Sequence, residues 1–422
     1  MNQNIPSLFT RTWKLIVSLG PAFFLVGYTI GTGSIITMAS AGSRYGMSML
    51  WVLSMACIFC FVLLDAYGRY SLVTKEGTLY GIKKHICGGR YIALCVLVGL
   101  VLVEILAFIG NMGILTDLIS EWTRMLFGGK GWNPVWVAIV ISLVLYGLLM
   151  KGKYSFFEKI LIIFVGTMGI SFLMTMFIVL PDAIEAAKGL IPSIPAEANA
   201  PMVIAAIVGT TFSAPTFVVR SILMKEKKWE LGQLKHAKKD AAVGAFMMFV
   251  ISAAIMSCAA GTLYLINQPV DKVVTMVALL EPLLGRFAIS VFVTGIFGAA
   301  LSSMIPILML TPLLISDYKN TPVNYKGNTF KILTGAALLF GLVVPVFKAK
   351  PVFAMLISQV FQVFILPIVV VTVTYLLNRK DLMGVHKNKL LANIFLLLIF
   401  MFTLVISYQG VAGLMESFNT MF

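Results

Sequence analysis

Charged residues are scarce in this chain of 422 residues. Asp, Glu, Lys and Arg make up 12% of it, whereas a soluble domain has about a quarter. Hydrophobic residues make up 59%, and the mean hydropathy is +0.97. So few charges cannot cover a water-facing surface, which excludes an ordinary soluble domain and indicates an integral membrane protein.

The chain also lacks two further features: a polar stretch long enough for a soluble domain, and the two-residue alternation of barrel strands. Apolar runs instead follow one another with short connections, and each can cross about 30 Å of hydrocarbon as a helix. Only helices and closed barrels span a bilayer, so helices remain. The sequence predicts an all-α membrane protein with about eleven transmembrane helices at 12–42, 48–70, 91–116, 133–150, 159–180, 201–223, 241–265, 287–316, 329–347, 352–377 and 388–410.

Catalytic and nucleotide-binding motifs are missing as well. The segment GGKGW at 128–132 lacks the spacing and the hydroxyl of a phosphate-binding loop. The three histidines fall in predicted connections and form no catalytic or metal-binding arrangement: His85, His236 and His386. We therefore expect a protein that is not an enzyme, with no cofactor and no metal site that the sequence identifies.

The formal charge of +15 is distributed unevenly between the two sides of the predicted bundle. Most of the 32 Lys and Arg residues fall on the side of the N-terminus. The opposite side holds Arg44, Arg124, Lys130, Lys188, Lys272, Arg286, Lys348 and Lys350. The positive-inside rule thus predicts a multi-pass protein of the plasma (inner) membrane with its N-terminus inside and, with eleven spans, its C-terminus outside. The charge is a topology signal and predicts no nucleic-acid partner; the start MNQNIPSLFTRTWK leads into a full span without a cleavable signal.

Glycine, proline and hydroxyl residues cluster inside two of the spans. The first span carries Gly31-Thr32-Gly33-Ser34 near mid-membrane, and the sixth carries Gly209 to Pro215, including Thr210, Thr211 and Ser213. Irregular backbone at that depth is tolerated where it lines a cavity, so both clusters predict broken helices around a midplane site. The alternative is that the glycines serve close helix packing and the hydroxyls bond to their own helices.

The two interrupted spans lie five spans apart, as an inverted repeat of five plus five helices requires. We predict one transport domain over 1–422, with a first repeat at 12–180, a second at 201–377 and an eleventh helix at 388–410. Inside the third span, Glu104 should face the protein interior, because a carboxylate at that depth is costly. A proton relay and a buried structural hydrogen bond are both open for Glu104, and Asn111 can share its helix face.

Seven stretches of the sequence resemble a known family, the natural resistance-associated macrophage protein (Nramp) divalent-metal transporters. They are GPAF at 20–23 with RYGMSMLWV at 44–52, GLIPSIP at 189–195 before IVGTT at 207–211, LSS at 301–303, and ISQVFQVFILPIVVV at 357–371 with Met383-Gly384. The resemblance covers nearly the whole chain. It implies the leucine-transporter fold with broken helices 1 and 6, alternating access and, in typical members, proton-coupled uptake of manganese or iron.

The resemblance also exposes a departure from the family's metal site. Typical members bind metal through Asp-Pro-Gly-Asn in helix one and Met-Pro-His in helix six, where this chain has Gly31-Thr32-Gly33-Ser34 and Ser213-Ala214-Pro215. In the third helix Glu104 remains, but the family's aspartate and a further glutamate fall at Asn111 and Ile114. Transition metals favour thioether and carboxylate ligands, so the altered motifs favour a small neutral or zwitterionic solute. Divalent metal cation transport is what the family resemblance implies, and a hard ion that keeps much of its water shell stays open.

We therefore expect an Nramp-like secondary transporter whose partners are the lipid bilayer and a small ion or small-molecule substrate. A monomer suffices for this, and the oligomeric state stays open. The predicted substrate site consists of Gly31, Thr32, Ser34, Thr210, Thr211, Ser213 and Gln359, with Glu104 and Asn111 in proton coupling. Two rival classes are a transport-inactive relative that acts as a sensor or binding protein, and a channel.

Overall fold

The computed structural model describes residues 30–151, 154–179, 183–196, 199–226, 229–325 and 327–419. Within these ranges the chain is helical and contains no strand. The α-helices are α1 (Thr32–Tyr45), α2 (Leu50–Thr74), α3 (Thr78–His85), α4 (Gly89–Phe127), α5 (Pro134–Lys151), α6 (Tyr154–Val179), α7 (Ala183–Lys188), α8 (Ala200–Thr211), α9 (Ala214–Glu226), α10 (Leu234–Gly261), α11 (Glu281–Leu284), α12 (Ala288–Lys319), α13 (Asn328–Phe340), α14 (Val343–Phe347), α15 (Pro351–Val363), α16 (Leu366–Asn378), α17 (Lys380–Met383) and α18 (Leu390–Asn419).

The membrane spans agree with the sequence prediction. Among the described residues, eight stretches are helical and apolar over enough length to cross a bilayer: Leu50–Thr74, Gly89–Phe127, Ala200–Lys225, Leu231–Ile266, Ala288–Lys319, Asn328–Phe347, Pro351–Asn378 and Leu390–Ser417. Two shorter apolar helices are Pro134–Met150 and Gly166–Val179. With α1, whose predicted span 12–42 is described from residue 30 onwards, they correspond to the eleven predicted segments. The all-α membrane class is confirmed.

The sixth predicted span is broken where its sequence predicts. Helix α8 ends at Thr211, Phe212 leaves the helical region at φ −107° and ψ 51°, and α9 begins at Ala214. Pro215 lies in the first turn of α9, where its missing N–H costs no hydrogen bond and its fixed φ suits the start of a helix. The apolar window of this span is 100% buried, as irregular backbone inside a bilayer requires.

The first span differs in detail from the prediction. We expected residues 31–34 to unwind and expose carbonyl groups, but Thr32, Gly33 and Ser34 form the first turn of α1, with Gly31 as its N-cap at φ −96° and ψ −167°. Residues 1–29 are outside the described ranges, so the predicted break of the first span is described only from the start of α1 at Thr32 onwards. The groups presented at this point are the N–H groups of a helix start, not carbonyls.

The tenth predicted span, 352–377, contains an interruption that the sequence prediction missed. Helix α15 ends at Val363 and α16 begins at Leu366, with Pro367 in its first turn. Between them, Phe364 N–H bonds to Phe361 O at 3.4 Å in a three-residue step. Pro367 explains the start of α16 in the same way as Pro215 explains the start of α9.

The interrupted helices lie at the centre of the bundle. Helix α1 packs on α10 and α8, α15 packs on α4 and α8, and α4 packs on α12. Helix α18 lies at the periphery, because only 22% of its apolar window is buried, and its exposed leucines form a surface suited to lipid. Helices α1, α4, α8, α12 and α15 therefore surround the middle of the molecule.

Candidate functional site

A cavity of about 40 Å³ lies where these central helices meet. Its lining residues are Gly31, Gly33, Ser34, Glu104, Ala107, Asn111, Thr210, Ser213, Ser303, Ile307, Gln359 and Gln362. A water molecule needs about 10–15 Å³ of such space, so the cavity has room for about three waters or an object of that size. It is a polar chamber in an otherwise apolar bundle.

The structure brings together most of the residues that the sequence predicts for the substrate site. Gly31, Ser34, Thr210, Ser213 and Gln359 all line the cavity. Thr32 lies beside it and donates a hydrogen bond to Asn111 Oδ1. Thr211 is the exception, because it does not line the cavity and its hydroxyl is buried without a hydrogen-bond partner among the described residues.

Glu104 and Asn111, which the sequence prediction kept apart as coupling residues, line this same cavity. Glu104 is 2% exposed and Asn111 is 3% exposed. Glu104 is the one acidic residue among the lining residues. A negative charge on its carboxylate would therefore interact directly with a ligand in the cavity. Their proposed role in proton coupling stays a prediction.

Two polar lining residues escaped the sequence prediction. Ser303 comes from α12, and its hydroxyl donates to Ala299 O at 3.0 Å. Gln362 lies three residues after Gln359, a spacing that places both amides on one face of α15. The i, i+3 pair of glutamines in an apolar helix was the available signal for Gln362; Ser303, in a span of small residues, gave none.

A chain of hydrogen bonds links the break in the sixth span to α15. Ser213 Oγ donates to Gln362 Oε1 at 2.5 Å, Gln362 Nε2 donates to Gln359 Oε1 at 3.3 Å, and Gln359 Nε2 donates to Ser358 Oγ at 3.2 Å. On the other side, Ser34 Oγ lies 3.3 Å from Ser252 Oγ of α10. These bonds hold the side chains of the site in place without using charge.

Three glycines allow the helices to approach this closely. A Cβ atom on Gly209 would collide with the backbone oxygen of Gln359, and one on Gly31 would collide with the Ser303 hydroxyl. A Cβ on Gly33 would lie 2.6 Å from Gln359 Nε2. The glycines of both predicted motifs thus set the width of the cavity, which is a close-packing role in addition to a break in the helix.

The chemistry of the lining suits a particular kind of occupant. No group of three or more His, Cys, Asp or Glu side chains that could hold a metal ion occurs in the part of the chain that the structure describes. The lining offers hydroxyl and amide groups and one carboxyl group. Such oxygen donors suit a hard ion that keeps part of its water shell or a small polar solute, and they do not suit a soft metal.

Polar contacts around α3 connect helices at one end of the bundle. Asp317 Oδ2, at the end of α12, accepts a hydrogen bond from Leu79 N–H at 2.9 Å. Lys83 Nζ donates to Tyr318 O at 3.3 Å, and Thr78 Oγ1 donates to Ser221 Oγ at 2.9 Å. Helix α3 is therefore tied to α12 and α9 at this end of the bundle, which we call the α3 end.

Glu76, just before α3, makes further polar contacts at the α3 end. Its carboxylate accepts from Lys84 Nζ at 2.7 Å and lies 2.8 Å from His85 Nε2. Burial raises the pKa of Glu76, but the hydrogen bonds from Lys84 and His85 outweigh burial and hold the pKa below its ordinary value. These contacts thus stabilise the ionised form of the Glu76 carboxylate.

A much larger cavity, of about 710 Å³, lies at the opposite end, which we call the Arg44 end. Arg44 of α1 and Asp271 form an ion pair there at 2.7 Å. The cavity also reaches Asp117 and Gly113 of α4, two residues beyond Asn111 of the central site. Among the described residues, a large cavity thus lies at the Arg44 end, and polar contacts between helices lie at the α3 end.

Comparison with known proteins agrees with this architecture. The family model described as "Natural resistance-associated macrophage protein-like" matches residues 22–413. The divalent metal cation transporter MntH of Verminephrobacter eiseniae is 23% identical over 387 residues, which are 89% of this chain and 84% of that protein. The match to the Eremococcus coleocola manganese transporter has a TM-score of 0.74 at 14% identity, over 97% of this chain and 89% of that chain.

A more distant solved structure shares the architecture as well. MhsT, determined in complex with L-phenylalanine, matches with a TM-score of 0.62 at 13% identity, over 94% of this chain and 98% of that chain. The fold is that of the leucine transporter, as the family resemblance implies. The chain is a multi-pass membrane protein and belongs to the Nramp family of metal-ion transporters, whose members are transporters and not enzymes.

Proposed function

We propose that this protein is a secondary-active transporter that works by alternating access and passes its substrate through the central cavity. The observation that carries the proposal is the convergence of neutral oxygen and amide groups and one carboxyl group on a chamber between interrupted helices. A large cavity at the Arg44 end and helices connected by polar contacts at the α3 end are the arrangement expected of one state in such a cycle. We place the α3 end inside and the protein in the plasma membrane, with the N-terminus inside and the C-terminus outside, from the distribution of basic residues.

We propose Gly31, Thr32, Ser34, Thr210, Ser213 and Gln359 as the substrate site. Gln362 and Ser303 are added because they line the same cavity, and Thr211 is left out because it does not. The repeats at 12–180 and 201–377 fit this site, because the first predicted span belongs to the first repeat and the sixth predicted span belongs to the second. The lining then comes from both repeats, as a midplane site between them requires.

We propose a hard divalent cation of the magnesium class as the substrate. A relative is named as a divalent metal cation transporter, and a structural neighbour as a manganese transporter. Oxygen donors and room for about three waters favour an ion that keeps part of its hydration shell. Glu104 would balance part of the charge of the ion and, in exchange, release a proton.

A small neutral or zwitterionic solute is the second candidate. Two observations favour it: α1 presents the N–H groups of its first turn at the cavity, and the Thr210 hydroxyl makes no hydrogen bond among the described residues although Thr210 is 5% exposed. A carboxylate could bind at the helix start, where the dipole favours negative charge. Melting curves of the purified protein with Mg²⁺, Mn²⁺ and glycine separate the two substrate classes.

Uptake into proteoliposomes tests the transport proposal. We expect saturable Mg²⁺ uptake that falls at least about ten-fold in Ser213→Ala and Thr210→Val, because each change removes a polar group from the cavity. The matched control is Thr294→Val, an exposed α12 residue whose hydroxyl bonds to its own helix. Normal flux in both site variants contradicts the site, binding without flux indicates a sensor, and large ohmic currents indicate a channel.

Glu104→Gln tests the coupling proposal in the same vesicles. We expect the variant to lose substrate-driven acidification, because an amide cannot release a proton. Glu281→Gln, an exposed residue outside the cavity, is the control. Continued proton movement with substrate in Glu104→Gln would assign Glu104 to a structural hydrogen bond.

A further inference from the structure

The large cavity at the Arg44 end carries an excess of positive charge. Its charged lining residues are Arg44, Asp117, Glu121, Asp271, Lys272, Lys348 and Lys350. Arg44 is paired with Asp271, and Glu121 is paired with Arg124 just outside the lining. The remaining charges in the lining are one negative, on Asp117, and three positive, on the lysines. None of the three lysines forms an ion pair among the described residues. The cavity is therefore positive after its own pairs are counted.

The three lysines are exposed and lie on two segments that border the cavity. Lys272 follows the loop that Val270 N–H attaches to Ser43 Oγ at 3.2 Å. Lys348 ends α14 in the left-handed conformation at φ 52°, where glycine or asparagine is usual, and Lys350 is the N-cap of α15. Lys348 and Lys350 thus lie two residues apart at the junction of α14 and α15, where both border the cavity.

The rest of the lining is apolar enough to hold an organic group. Val203, Val344, Val352, Phe353 and Leu356 contribute to the wall. A volume of about 710 Å³ is in the range of small-molecule sites, which combine apolar walls with a few charged or polar groups. An inorganic ion alone would leave these apolar side chains without a function in binding.

We propose that the cavity at the Arg44 end binds a small organic anion that carries at least two carboxylates. The lysines bind the carboxylates, and the valine, leucine and phenylalanine side chains contact the carbon skeleton. This site is distinct from the central cavity and does not depend on which substrate the central cavity carries. It also implies that a bare divalent cation meets repulsion at this end, so a dicarboxylate and a divalent cation respond oppositely to loss of the lysines.

The test measures isophthalate binding to the full-length protein in neutral phosphatidylcholine nanodiscs by isothermal titration. We expect saturable binding at one site per chain, at least about ten-fold weaker binding of the uncharged isophthalamide, and weaker isophthalate binding at high salt. The double variant Lys348→Gln/Lys350→Gln should weaken isophthalate binding about ten-fold. The matched control is Lys387→Gln/Lys389→Gln, two exposed lysines with the same spacing outside the cavity, which should leave binding unchanged.

Three outcomes overturn the proposal. They are no saturable binding, equal loss in the two double variants, and complete displacement of isophthalate by an equal concentration of sulfate, which would show a patch for any anion. Magnesium uptake in the same variants keeps this result separate from the transport proposal. Loss of uptake in Ser213→Ala with unchanged isophthalate binding supports the transport site in the central cavity. This result is independent of how the lysine variants bind isophthalate.

Discussion

The two ends of the molecule use their charged side chains in different ways. At the α3 end, charged side chains are held in short contacts: Glu76 with Lys84 and His85 of α3, Asp317 of α12 with the start of α3, and Arg220 of α9 with Asp240 of α10. At the Arg44 end, two partly exposed pairs, Arg44 with Asp271 and Arg124 with Glu121, and three lysines border a wide cavity. Charge thus connects parts of the protein at one end and remains available to a ligand at the other.

The largest effect should follow from breaking the pair that is most deeply buried at the α3 end. Arg220 Nη1 donates to Asp240 Oδ2 at 2.9 Å, and both side chains are 0% exposed. Asp240→Asn would leave the guanidinium charge without its carboxylate, which costs about 3–5 kcal/mol of stability in such pairs. We expect a lower melting temperature and less monodisperse protein after heating.

The exposed pair Arg379 with Asp381 supplies the control for that measurement. Arg379 Nη2 and Asp381 Oδ2 lie 2.5 Å apart, and Asp381 is 59% exposed. Asp381→Asn should leave the melting temperature unchanged, because solvent screens this pair. Equal melting temperatures for Asp240→Asn and Asp381→Asn would show that the buried pair does not stabilise the protein.

A smaller effect should appear when the pH is lowered at the α3 end. The pKa of Glu76 is held below its ordinary value in the folded protein, so its contribution to stability is present above the unfolded pKa of about 4.3 and is lost as the pH falls through the folded pKa. We expect the α3 end to open in this acid range. Labels on α3 and α12, read by distance measurement against pH, would detect the opening.

Glu76→Gln should flatten that pH response, because glutamine does not titrate. The control is Glu230→Gln, in a capping box before α10 and away from α3. A pH response that is the same in Glu76→Gln as in the unchanged protein would assign the acid sensitivity to another carboxylate.

The smallest effect is expected at the Arg44 end. Asp271 is 69% exposed, and exposed pairs of this kind contribute at most about 1 kcal/mol. Asp271→Asn should therefore change the melting temperature little, while it frees Arg44 and makes the cavity more positive. The comparison of the two ends predicts tighter isophthalate binding in this variant, and weaker binding would contradict it.

Sequence patterns located the spans and the break at Gly209 to Pro215 because hydropathy and proline act locally along the chain. They also selected Gln359, Glu104 and Asn111, since polar residues are conspicuous in apolar helices. They did not reveal that Glu104 shares a cavity with Thr210, because that depends on how α4 packs against the other central helices. Spacing also did not reveal that Thr211 lies outside the lining of this cavity, because near a helix end the direction of a side chain depends on the local backbone.

The division of the tenth span into α15 and α16 separates two tasks within one crossing of the bilayer. Helix α15 carries both glutamines of the central site, whereas α16 is fastened to α2 by the bond from Tyr67 Oη to Val369 O at 2.9 Å. Because regular helical bonding gives way at Phe364, a tilt of α15 need not be transmitted to α16. The two glutamines therefore lie on a short helix of 13 residues whose orientation is separate from that of the anchored half of the same span.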